Sequence, residues 1–87
     1  MGKINYQKHL TEWCTKYNVP SIPVFVKDVI QDNVLGVFYP DDYYIEVKKG
    51  TGLHVLKHEF FHYIIRLRDI SSNLEENICE FAENADI

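Results

Sequence analysis

His58-Glu59-Phe60-Phe61-His62 constrains this chain more than any other stretch, because it lies inside a run whose apolar residues repeat with helical spacing. On a helix, residues four apart share a face, so His58 and His62 turn both imidazoles toward one point and Glu59 stands beside them. Two neutral imidazoles hold a divalent cation but leave it under-coordinated, and a third protein ligand with a water completes a tetrahedron. Such a cation lowers the pKa of its water to roughly 7, and a neighbouring carboxylate accepts the proton as the water attacks a carbonyl carbon. The pentapeptide therefore predicts a helix carrying His58 and His62 as metal ligands, Glu59 as general base, and one zinc ion per chain.

The flanking sequence sets what this helix packs against. Ile4, Tyr6, Leu10, Trp13, Cys14 and Tyr17 fit one helical face, and the prolines at 20 and 23 stop it, which predicts a first helix over about residues 4–17. Ile22 to Val26 is short, β-branched and aromatic, as a strand requires. Val34 to Tyr39 and Tyr43 to Val47 flank Pro40-Asp41-Asp42 and predict a hairpin. Gly50 and Gly52 then break the pattern, and Thr51 is the expected cap of a helix over about residues 53–68. Leu53, Leu56, Phe60, Ile64 and Leu67 mark its core stripe, next to His54, His58 and His62. A loop over 69–73 and a third helix over about 74–85 complete the expectation. The fold class is α+β in the order α-β-β-β-α-α, with a small, mostly antiparallel sheet on the histidine-bearing helix and one domain spanning 1–87.

With 87 residues, the chain can bury one small core that a bound metal would help to stabilise. A net charge of −4 with dispersed lysines and arginines offers no basic track for phosphates, so nucleic acid is not an expected partner. No apolar run reaches the ~20 residues of a membrane span, and the first residues lack the apolar stretch of a secretion signal, so a soluble cytoplasmic protein is expected. Cys14 and Cys79 form no C-x-x-C pair, and both are expected to be reduced and at least partly buried.

Candidates for the third ligand follow His62. Leu74, Ile78, Phe81, Ala82 and Ala85 define the apolar face of the third helix; Glu75 falls on its flank, whereas Glu76, Glu80 and Glu83 project away. Glu75 is thus the preferred ligand and Glu76 the alternative. Ser72-Asn73-Leu74-Glu75 also fits a capping box, which would give Glu75 a purely structural task. His54, one turn before His58, is left outside the site. Tyr43, Tyr44 and Tyr63 are near enough in sequence to donate to an oxyanion, but packing explains each of them better.

The H-E-x-x-H followed by a glutamate on the next helix resembles the gluzincin group of zinc metallopeptidases, and the strand-turn-strand from Val34 to Val47 resembles the sheet lining their cleft. Glu75 to Ala82 resembles the E-x-x-A-[DN]-x-F-A signature of the ImmA/IrrE-type and CAAX-prenyl-protease-type peptidases. Glu75, Phe81 and Ala82 match, while Ile78 and Cys79 depart from it. Shifting by one residue puts Glu76 on the ligand position and loses the Phe-Ala match. In length and element order the chain is most similar to the minigluzincins, the resemblance covering roughly residues 20–85. It implies a zinc-dependent endopeptidase with His58, His62 and a glutamate as ligands and Glu59 as base and proton shuttle. The substrate would be a peptide or protein lying as an added strand along Tyr43 to Val47. It also implies latency, with the C-terminal segment in the cleft, a part open here to Asn84 to Ile87 only if the third helix frays there. Almost nothing follows the third helix, so the wall where larger gluzincins keep a further oxyanion donor is expected to be absent or to come from a partner. The alternative is a non-enzymatic protein-binding domain with a structural or relic metal, and a weaker third is a protease removing a transcriptional repressor, as ImmA/IrrE-type enzymes do.

Overall fold

The structure, a computed structural model, describes residues 4–68. Helix α1 spans Tyr6–Tyr17, strands β1, β2 and β3 span Val24–Lys27, Gly36–Tyr39 and Tyr44–Lys48, and helix α2 spans Leu53–Leu67. The described part is a small α+β unit with two helices and one three-stranded sheet. The expected third helix, and with it Glu75, Glu76 and Cys79, lies outside the described residues. No helix among the described residues is long and apolar enough to cross a membrane.

Local chemistry accounts for the element ends. The Asn5 side chain accepts from the Lys8 N–H at 3.1 Å and caps α1, which closes on Asn18 in the left-handed conformation (φ 57°). The cap of α2 is Gly52 and not Thr51. A β-carbon at position 52 would lie 2.7 Å from Nδ1 of His54, so a larger residue there would need that exposed ring to swing aside. Thr51 is instead buried, and its carbonyl accepts from the Tyr6 hydroxyl.

The sheet order is β1-β3-β2, with β1 parallel and β2 antiparallel to β3. The expectation of a mostly antiparallel sheet is thereby corrected to a mixed one. Residues 40–43 turn β2 back on β3, whereas residues 28–35 carry the chain from β1 to the far edge, leaving β1 to join β3 in parallel. Central position explains the burial of β3: Ile45 and Val47 are fully enclosed, alternating with half-buried Tyr44 and Glu46. Both helices cover the Ile45 face. Leu10, Trp13 and Cys14 of α1 meet Leu56, Phe60, Tyr63 and Ile64 of α2 there, with the Trp13 and Phe60 rings 5.6 Å apart. Leu67, expected in the core stripe, is exposed at the end of α2. Burial pushes the Cys14 thiol up, only partly offset by a backbone hydrogen bond from Ile22, which makes this cysteine a packing residue and not a nucleophile.

Three polar ties fix α2 against the first part of the chain. Besides Tyr6 on Thr51, the Tyr63 hydroxyl donates to the Pro20 carbonyl at 2.6 Å and the Arg68 guanidinium donates to the Tyr17 carbonyl at 2.8 Å. The last of these satisfies an otherwise orphaned acceptor at the C-terminus of α1. One side chain also protects the sheet. Gln7 of α1 accepts from the Val24 N–H through Oε1 at 2.8 Å and donates to the Ile22 carbonyl through Nε2 at 3.0 Å. Its carboxamide thus takes the place a neighbouring strand's peptide group would occupy on the outer edge of β1.

Candidate active site

The middle of α2 carries the site because its apolar residues leave only one stripe to face away from the core. Phe60, Tyr63 and Ile64 are buried, and the intervening His58, Glu59 and His62 are half-buried along one border of that face. The imidazoles of His58 and His62 lie with ring centroids 5.0 Å apart and planes inclined by 53°. With Glu59 and Arg66 they form one wall of a cleft of about 460 Å³, whose other wall is Val34, Gly36, Val37, Phe38 and Pro40. A second hollow of about 360 Å³ continues it past Glu59 toward the N-terminal end of α2, between Leu35 and Val55. Both share Val34, Gly36, His58 and Glu59. Together they make a trough running along α2 on either side of Glu59.

The wall opposite α2 is the free edge of the sheet. The Lys48 N–H donates to the Leu35 carbonyl at 2.8 Å, so in this antiparallel register the pairs Val37 with Glu46 and Tyr39 with Tyr44 also exchange bonds with β3. Gly36 and Phe38 alternate with them and turn their N–H and C=O groups outward along the trough. The expectation that a peptide adds as a strand along Tyr43 to Val47 is overturned, because β3 has neighbours on both sides and no open edge; the edge beside the cleft is that of β2.

Gly36 sets the separation of the two walls, a role the sequence reading missed. A β-carbon there would stand 2.7 Å from Cγ1 of Val55 and 3.3 Å from Cγ of Glu59. Only a bare backbone lets β2 pass this close to the helix. Gly36→Val is expected to push the strand outward and to lower stability by about 1–3 kcal/mol through overpacking. Any hydrolytic activity should fall further than the population of folded protein accounts for, measured by comparing specific activity with the folded fraction from circular dichroism. Parental specific activity in the folded fraction would remove Gly36 from this role.

The three tyrosines considered as oxyanion donors do not line the cleft. Tyr63 donates to Pro20 within the core, and burial pushes its hydroxyl up, with smaller contributions from Cys14 and Tyr43. Tyr43 packs edge-on against that ring, at a centroid distance of 5.8 Å, from a turn position of positive φ (54°). Tyr44 stacks on Tyr39 at 4.5 Å on the opposite face of the sheet. There Tyr39 donates to the Glu46 carboxylate at 2.9 Å, a bond that raises the Tyr39 pKa. His54 is exposed and outside the cleft lining.

The two imidazole donors suit a divalent cation in chemistry and in spacing along the helix. Among the described residues no three His, Cys, Asp or Glu side chains converge as a metal-holding group; Glu75 and Glu76, expected as third ligand, lie outside those residues. The chain matches no family model, no curated protein and no solved structure.

Proposed function

We propose that this domain is a gluzincin-like zinc metallopeptidase that hydrolyses peptide bonds in cytoplasmic peptides or proteins. The observation that carries this reading is that His58, Glu59 and His62 share one wall of a trough whose far wall is an open strand edge. An extended peptide is the polymer that such an edge binds, because it returns a hydrogen bond to each outward N–H and C=O of Gly36 and Phe38. Zinc held by His58 and His62, with Glu75 as the preferred third ligand and Glu76 as the alternative, would supply Lewis acidity and bring a water's pKa near 7. Glu59 would take the proton from the attacking water and deliver it to the leaving amine. The β2 edge would hold the scissile amide beside that carboxylate, in a geometry that costs the substrate little further ordering.

The opposing idea of a purely structural metal predicts a coordination shell closed by four protein ligands. Hydrolysis separates the two. A zinc-loaded sample is expected to cleave an unstructured, internally quenched peptide library, to stop when the metal is chelated, and to resume when zinc is restored. Cleavage that is indifferent to chelation, or no cleavage by fully loaded and folded protein, would overturn the assignment.

A further inference from the structure

Arg66 extends the histidine stripe by one turn and belongs to the same wall of the cleft. Among the described residues of that lining it is the only permanent cation, and Glu59 the only carboxylate. Arg68, two residues on, is already committed to the Tyr17 carbonyl and to holding the helices together. Arg66 has a different setting. It is exposed, and it lines the same cleft as His62, Phe38 and Pro40.

The rise of a helix puts the Arg66 backbone about 9 Å along the axis from the midpoint between His58 and His62. An extended peptide covers that distance in about three residues. A planar guanidinium is shaped to receive two parallel hydrogen bonds from a carboxylate, and walls of Pro40, Val37 and Phe38 reduce competing hydration. The trough is also asymmetric: the hollow beyond Glu59, between Leu35 and Val55, has no lysine or arginine among the described residues of its lining.

We propose that Arg66 forms a carboxylate-recognising subsite at the C-terminal end of the α2 trough, making the preferred substrates peptides with an acidic group about three residues from the bond cut. The inference rests on the peptidase reading and adds the substrate class to it. The recognised carboxylate has two sources, an Asp or Glu side chain or the free end of a chain. Matched peptides distinguish them: an internal Glu with an amidated C-terminus, the same peptide with Gln, and the Gln peptide with a free C-terminus.

With the zinc-loaded full chain, the better carboxylate peptide should exceed the uncharged Gln peptide in kcat/KM by roughly tenfold to a hundredfold, the scale of a charge-assisted bidentate contact. Arg66→Gln should lower kcat/KM for the carboxylate peptide far more than for the uncharged Gln peptide and so abolish the preference, and Arg66→Lys should retain part of it. Fluorescence anisotropy with zinc-loaded Glu59→Gln protein repeats the comparison as binding alone, so it reports on the subsite even if no turnover is seen. Loss of turnover on every peptide with the binding preference intact would strike the peptidase reading and leave the subsite standing. Equal binding of all three peptides, or an equal loss on all three in Arg66→Gln, would overturn the subsite.

Discussion

Zinc-loaded Glu59→Gln protein is expected to keep its metal and bind peptide as the parent does, yet to hydrolyse it roughly 10²- to 10⁴-fold more slowly, the usual worth of a positioned general base. Glutamine is the informative replacement because of where Glu59 sits. Its Cγ lies 3.3 Å from the position a β-carbon of Gly36 would take, so these methylenes help to set the spacing between α2 and β2. Alanine would remove the base and the spacer together. Glutamine keeps the volume and removes only proton acceptance, so a drop in kcat at unaltered KM reports the chemical step. A variant that matches the parent in kcat would assign the hydrolysis to another group.

Metal binding should be equally plain in thermal denaturation. At a free zinc concentration a hundredfold above the dissociation constant, mass action adds about 2.7 kcal/mol to the native state. For a domain of this size, about 4–8 °C per kcal/mol converts this into a rise in Tm of roughly 10–20 °C. His58→Ala and His62→Ala should each abolish the rise, and calorimetric titration of the parent should end at one equivalent. His54→Ala is the matched control, since its exposed ring lies outside the cleft. Glu75→Ala is expected to weaken affinity far more than Glu76→Ala. The reverse order would move the third ligand by one position, and an unaltered Tm in the parent would remove zinc from the account.

What the sequence disclosed was governed by period. Helical spacing located α1 and α2 to within a residue or two, and the i, i+4 rule put His58 and His62 on one wall with Glu59. β-Branched and aromatic runs set off by turn residues identified three strands, but such runs do not say which strand lies beside which. The parallel pairing of β1, and hence the central position of β3, were therefore illegible. Thr51 looked like the better cap because its hydroxyl can accept from a helix N–H, whereas α2 starts from Gly52 with no side-chain cap hydrogen bond. Gly36 did carry a signal, a glycine in the middle of Val-Leu-Gly-Val-Phe-Tyr, where a close backbone approach is the common cause. Nothing in the local sequence of Gln7 announced its contact with β1, which joins residues 17 apart in the chain.

The glutamine at the outer margin of β1 also bears on how these molecules behave when crowded. A ribbon that lengthens by sheet-to-sheet addition needs two receptive margins on every unit, since each copy must both offer and accept a strand. Here one margin has its Ile22 C=O and Val24 N–H occupied from within by a side chain, and the other opens into the trough beside Glu59. Stray pairing is thereby disfavoured from ending in anything larger than a closed pair of chains. A peptide seated along β2 would deny even that pair, and should improve colloidal stability in concentrated solution.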